Sequence, residues 1–263
     1  MNRIGKKFQE LKKNKQKAFI AFITAGYPSL NITEKLVIEL ERSGVDIIEL
    51  GVPFSDPMAD GPIIQEASCE ALKKNIRLVD ILISVRKLRK SVNIPILLMT
   101  YYNPIFSLGD NKFIKMAVES GVDGVIIPDL PADEGKDFIR KASKSGLNNI
   151  CFISPTTSLK RIKFISALAK GFIYYVSLTG VTGIRRNLGS NLKQNIKRIK
   201  QYTDKPVCVG FGISSSKQVR DAGRIADGVI VGSVIVAKIK ENINNPSLAK
   251  RVGEFVQGLL RHQ

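Results

Sequence analysis

SGVDIIELG, at residues 43–51, has two echoes further along the chain: SGVDGVIIPD at 120–129 and IADGVIVGS at 225–233. Each passes a glycine or other small residue, then an aspartate, and runs into a short stretch of Ile, Val and Leu. A glycine closing a helical pattern is a stop signal, because it enters the left-handed conformation that ends the last turn. An uninterrupted apolar run of four to eight residues is the pattern of a strand buried on both faces, as in a parallel sheet. The joint is therefore a helix end feeding a parallel strand, used three times. The shared unit is supersecondary, and the match is too short to establish duplication.

Runs of the same kind recur outward from these three, at 18–25, 46–51, 94–101, 123–128, 149–154, 171–177, 205–212 and 227–232, with longer stretches of helical spacing between them. Eight apolar strands alternating with amphipathic helices predict an α/β fold in which the sheet closes on itself, a (β/α)8 TIM barrel. The 263 residues suit one such barrel, so the expectation is a single domain over 1–263. Residues 2–16 are expected to form a helix closing the barrel bottom, and 247–260 a final docking helix. In this fold chemistry belongs to the loops that follow the strands.

Composition narrows the chemistry. The formal net charge is +18, yet the cations are dispersed over the polar faces of predicted helices, which speaks for a solvated surface and against a nucleic-acid partner. The chain has no apolar run of eighteen residues, so no membrane partner is expected, and its first twenty residues lack the apolar core of a secretory signal. Cys69, Cys151 and Cys208 are far apart and odd in number, as in a reducing compartment. The single histidine, His262, stands one residue from the end. Ser-His-Asp and Cys-His arrangements thus lack their imidazole, and acid-base work falls to carboxylates, tyrosines or lysines.

The carboxylates have a place to do it. Residues 43–72 contain no Lys or Arg, where the average composition of this chain would put about five. Inside that window lies IELGVPFSDPMADGP, 48–62, with Glu49 in a strand pattern and Asp60 in a loop stiffened by Pro53, Pro57 and Pro62. A carboxylate buried among Ile and Leu without a cation takes a raised pKa, the property of a general acid working near neutrality; a structural ion pair is the alternative. Gly-rich turns follow the sixth, seventh and eighth runs, as GVTG (180–183), GFGIS (210–214) and VGS (231–233). Glycine amides and a helix N-terminus there form a phosphate cradle.

LGVPFSDPMADGP, with Glu49 before it and LTGVTG (178–183) and GFGIS after it, resembles the tryptophan synthase alpha subunit, and the correspondence runs through essentially the whole chain. The resemblance implies a (β/α)8 barrel that splits indole-3-glycerol phosphate into indole and glyceraldehyde 3-phosphate with no cofactor of its own. It implies a beta subunit carrying pyridoxal phosphate, joined in an alpha2-beta2 heterotetramer and receiving the indole. Residue by residue it implies Glu49 as the acid-base group, Asp60 as acceptor of the indole N–H and Tyr174 as an assisting tyrosine. It puts Thr182 in contact with Asp60 on loop closure, the phosphate on Gly183, Phe211, Gly212, Gly232 and Ser233, and the indole among Phe22, Met99, Tyr101 and Ile126. Asp56 and Asn103 are expected to face the beta subunit. Met58 and Met99 stand where leucine is expected, and Arg185 and Arg186 make the flap basic. The compartment is expected to be a plastid stroma or a cytoplasm. The rival enzyme class is another phosphate-binding barrel, an isomerase or epimerase.

Overall fold

The computed structural model describes residues 2–176, 188–210 and 212–260, with the side chains of 188–190 excepted. Eight strands follow one another round the barrel in sequence order: β1 (Ala18–Thr24), β2 (Ile47–Gly51), β3 (Ile96–Met99), β4 (Gly124–Ile126), β5 (Asn148–Ile153), β6 (Ile173–Val176), β7 (Val207–Gly210) and β8 (Gly228–Val231). All pairs are parallel, and β8 closes on β1. The helices among the described residues are α1 (Arg3–Lys13), α2 (Leu30–Arg42), α3 (Pro62–Leu72), α4 (Leu78–Leu88), α5 (Tyr102–Leu108), α6 (Asp110–Ser120), α7 (Lys136–Lys144), α8 (Leu159–Leu168), α9 (Leu188–Lys200), α10 (Ser216–Gly223), α11 (Ser233–Glu241) and α12 (Leu248–Leu260).

The expected closing helix is α1, capped by Asn2, whose side chain accepts the Gly5 N–H at 3.3 Å. Its apolar stripe of Ile4, Phe8 and Leu11 plugs the bottom of the barrel, with the Phe8 ring 5.8 Å from that of Phe172. Above that plug the interior is filled by alternate residues of the strands, among them Ile20, Ile47, Leu97, Ile126, Ile150, Tyr174, Cys208 and Ile230. The period of two is what a closed parallel sheet requires, since successive side chains point in and out. The outward set packs under the helices; Phe19, Ile23, Ile48 and Val229 are wholly buried there. The final docking helix is α12, packed on α2 and α11.

The three repeated aspartates perform one job in the described structure. Asp46, Asp123 and Asp227 each lie just before a strand and accept, through a carboxylate oxygen, the N–H of a residue at the start of the neighbouring strand: Phe19 at 2.8 Å, Ile96 at 3.0 Å and Val207 at 2.8 Å. Each also donates its own N–H to the carbonyl of that same residue. The pair of bonds fixes the register of β1 with β2, β3 with β4 and β7 with β8 at the bottom rim. The rigid barrel that results holds the loops of the opposite rim in place.

Candidate active site

At the opposite rim the site begins on β2. Glu49 is inward-pointing by alternation with Ile47 and pairs in register with Phe22 on β1 and Leu97 on β3. It is 1% exposed, and its Oε2 has no hydrogen-bond partner among the described residues. Burial, and to a smaller degree the nearby charge of Asp60, push its carboxyl up to about 8. Among the described residues Glu49 forms no ion pair, the alternative left open by the sequence.

Asp60 arrives from the loop between β2 and α3, beside Gly61, which is the N-cap of α3 with Pro62 at the first helical position. Burial raises its carboxyl as well, while a hydrogen bond from the Tyr101 hydroxyl pulls the other way. That hydroxyl donates to Asp60 Oδ2 at 3.1 Å and accepts the Ala59 N–H at 2.9 Å. The Tyr101 ring stacks on Phe54, centroids 5.0 Å apart. One phenol therefore ties the acid-bearing loop to the start of α5.

Tyr174, on β6, points inward beside Cys208 of β7, and its ring lies 4.8 Å from that of Phe152. Burial first, then the negative fields of Glu49 and Asp60, hold its hydroxyl far above the ordinary tyrosine value, so it stays a proton-bearing group at any working pH. The barrel accommodates these side chains by omitting others. A Cβ at Gly210 would lie 2.4 Å from the Tyr174 hydroxyl, and one at Gly51 2.4 Å from Phe22 Cζ. Glycine at both strand ends is thus a packing requirement of the site aromatics.

Of the expected indole neighbours, Phe22, Met99 and Ile126 share the inner face, with Met99 in register between Gly51 and Ile126. Ile126 is wholly buried in the interior cluster and offers no open surface in this conformation. At the expected cradle, Gly232 caps α11 and Ser233 opens it, with no side-chain cap bond on that helix start. The α10 start differs: Ser215 accepts the Gln218 N–H, and Gln218 in turn accepts the Ser214 N–H. The helix dipole available to an anion is therefore that of α11, with Gly212 on the preceding loop. Thr182, Gly183, Arg185, Arg186, Phe211 and His262 lie outside the described residues.

Asp56 and Asn103 are both exposed, the first taking a hydrogen bond from Ser55 at 2.6 Å. Beside them in sequence, Met58 is 88% and Phe106 69% exposed, the two most exposed large apolar side chains among the described residues. Three further residues at this rim gave no sequence signal. Gln65 donates to the carbonyls of Asp60 (2.9 Å) and Pro57 (3.5 Å), Thr24 has a buried hydroxyl without a partner, and Asp129 accepts the Tyr102 N–H. Position after a strand was the one available cue, and it holds for many loop residues with no role. Among the described residues, no three His, Cys, Asp or Glu side chains cluster as a cation site, and no helix is long and apolar enough to cross a membrane.

A closed parallel barrel with two carboxylates at the C-terminal ends of its strands, unpaired with any cation among the described residues, and a helix start without a side-chain cap two strands round from Glu49 defines an acid-base enzyme of the phosphate-binding barrel class. A family model described as tryptophan synthase alpha chain matches residues 8–261. Relatives named tryptophan synthase alpha chain include one from Geotalea uraniireducens, 47% identical over 98% of this chain and 97% of its own length. Another, from Thermoanaerobacter sp. (strain X514), is 45% identical over 98% of both chains. Among solved structures, tryptophan synthase subunit alpha from Legionella pneumophila superposes with a TM-score of 0.93 at 39% identity, over 100% of this chain and 98% of that one. A chain of the tryptophan synthase complex from Pyrococcus furiosus gives 0.83 at 36% identity, over 93% of this chain and 98% of that one.

The chain belongs to the tryptophan synthase alpha chain family. It is a carbon–carbon lyase that cleaves indole-3-glycerol phosphate to indole and glyceraldehyde 3-phosphate in tryptophan biosynthesis, and the family works without a cofactor of its own. The Geotalea and Thermoanaerobacter relatives are bacterial, and the plastid expectation gains no support from them.

Proposed function

We propose that Glu49 carries the proton through the whole reaction. Protonated Glu49 delivers its proton to indole C3. The ring nitrogen becomes a cationic N–H, which ionised Asp60 accepts as a hydrogen bond. The bond from C3 to the glycerol chain then breaks with its electron pair returning to the ring, while the Glu49 carboxylate takes the proton of the glycerol hydroxyl as that carbon becomes an aldehyde. Protons balance: one is given and one is recovered, by the same side chain. Tyr174, held protonated, assists by facing both acids, and the Tyr101 hydrogen bond favours the ionised form that Asp60 needs.

The observation that carries this reading is a buried glutamate with a free oxygen and a pKa pushed up to about 8, next to a second acid and without a cation among the described residues. The phosphate binds at the α11 start through Gly232 and Ser233, with Gly183, Phe211 and Gly212 contributing. The indole ring lies among Phe22, Met99, Tyr101 and the Ile126 floor, and Thr182 meets Asp60 when the flap shuts out water. The working unit is the single barrel domain, 1–263. A partner beta subunit, carrying pyridoxal phosphate in an alpha2-beta2 assembly, docks on the face of Asp56, Met58, Asn103 and Phe106 and takes the indole; the setting is a cytoplasm.

Indole release from indole-3-glycerol phosphate by Glu49→Gln and Asp60→Asn tests the roles. Both are expected to lose at least about 100-fold in kcat with the fold intact. Near-normal turnover by Glu49→Gln removes it as the acid. Asp56→Lys should weaken association with a beta subunit while sparing the isolated chain's own turnover, and unchanged association would move the interface elsewhere.

A further inference from the structure

The βα loop after β4 places a carboxylate where the chemistry has no direct use for it. Asp129 is exposed, on the opposite side of Tyr101 from Asp60's loop in the order of strands, and it touches neither Glu49 nor Asp60 in any hydrogen bond. Both of its oxygens instead receive the N–H of Tyr102, at 2.9 and 3.2 Å. Tyr102 is the first residue of α5, and its N–H is one of the groups a helix start leaves without an internal partner. Nothing else caps this helix, since its N-cap is Tyr101, whose side chain makes no cap bond. An ionised acceptor on a backbone N–H is a strong, directional bond, so the turn from β3 into α5 is fixed by a residue from the next loop.

The residue at that turn is the one that aims Asp60. Tyr101 sits in an extended conformation, φ −71° and ψ 160°, directly before the amide that Asp129 holds. Its ring is braced against Phe54, and its hydroxyl reaches Asp60 Oδ2 and the Ala59 N–H together. The ring is carried on the Cα adjoining the peptide between Tyr101 and Tyr102, so a displacement of the backbone at this turn moves the whole phenol. A hydroxyl some distance from its Cα amplifies a small backbone error at the turn. Loss of the Asp129 bond therefore shows as a displaced Asp60 rather than as a missing contact to substrate.

We propose that Asp129 is a positioning residue of the cleavage reaction, setting the Asp60 carboxylate through the Tyr102 amide and the Tyr101 hydroxyl. This rests on Asp60 being the acceptor of the indole N–H. Asn at position 129 retains an oxygen that accepts the amide, whereas Ala retains none, so the two substitutions separate the bond from the side chain's bulk. A misplacement of a reacting group by a fraction of an ångström costs turnover before it costs binding.

The test is a double-mutant cycle on the full chain, reading kcat and KM for indole release together with Tm. Asp129→Ala is expected to lower kcat about tenfold with KM within about twofold. Tyr101→Phe should fall comparably, and the double variant should be no slower than about twofold below Tyr101→Phe alone, because both remove one linkage. Asp129→Asn should recover most of the lost rate. A merely structural role would instead lower Tm and leave kcat per folded molecule unchanged. The proposal is overturned if Asp129→Ala keeps its kcat, if the two losses multiply, or if Asn is as slow as Ala. Asp60→Asn is run beside them: if it turns over normally, the role given to Asp60 fails first, and with it the purpose of the linkage. If it is inactive while Asp129→Ala is normal, the linkage alone fails.

Discussion

Asp123 and Glu49 are both almost completely buried, 3% and 1% exposed, at opposite ends of the same barrel. At the bottom rim Asp123 meets Arg89 at 2.7 Å, Arg3 at 3.1 Å and the Ile96 N–H at 3.0 Å. At the top rim Glu49 meets no cation among the described residues and leaves one oxygen without a partner there. The bottom acids repeat the pattern: Asp46 has Lys7 at 3.9 Å and Asp227 has Lys200 at 2.5 Å. A buried charge with a cation and amides is a clamp, costly to break and chemically inert. A buried acid without them keeps its proton until a reaction takes it. Carboxylates thus serve register at one end and, in the proposed mechanism, proton transfer at the other, and the neighbours decide which.

Exchange of function for stability should show this division most sharply. Glu49→Gln should lower kcat by about 100- to 10,000-fold, read as indole release, with Tm equal to or above that of the wild type. A large loss of Tm with retained turnover would put Glu49 among the clamps. Asp123→Ala should do the reverse. It leaves Arg89, which also donates to the Gly121 and Ile94 carbonyls, facing a gap, and should destabilise the barrel by about 3 to 5 kcal/mol in denaturant unfolding, with kcat per folded molecule near normal. Asp123→Asn, which can still accept the Ile96 N–H, should cost less.

The pH dependence is a finer test. Glu49 titrates near 8 when folded against an ordinary value of 4.5, so between these values the native state holds a proton that the unfolded chain has released. The stability this group contributes is whole below about pH 4.5, declines as pH rises and is gone above about pH 8. The Tm of the wild type should therefore fall relative to Glu49→Gln between about pH 5 and pH 9, as scanning calorimetry would show; parallel curves would mean Glu49 is ordinary. Turnover should decline on the alkaline side as Glu49 loses its proton and on the acid side as Asp60 gains one. The smallest effect expected is that of Tyr174→Phe, a loss in kcat of about tenfold or less with KM little changed, since the proposed mechanism gives Tyr174 an assisting role and the proton transfer to Glu49.

The eight strands were legible because burial on both faces leaves an uninterrupted apolar run, and each run falls on an observed strand. Glu49 was legible for the same reason, as a charge that interrupts one. The division of the intervening helical stretches into pairs, α3 with α4 and α5 with α6, was not read from the sequence; Asn75 at φ 57° and Gly109 at φ 88° mark the breaks. Asp129 and Gln65 were invisible, because an exposed polar residue in a loop or on a helix looks like solvated surface until its partner is known.

Residues 43–72 carry no cation in the sequence, yet that window holds both Asp46, which finds Lys7 on α1, and Glu49, which finds none among the described residues. The sequence by itself determined the barrel, the apolar setting of Glu49 and the family, since periodicity and motif are local properties of the chain. Which acid receives a cation and which tyrosine reaches Asp60 were decided only by tertiary structure. Electrostatic interactions depend on distances across space, and the closing of the barrel brings together groups that lie dozens of residues apart.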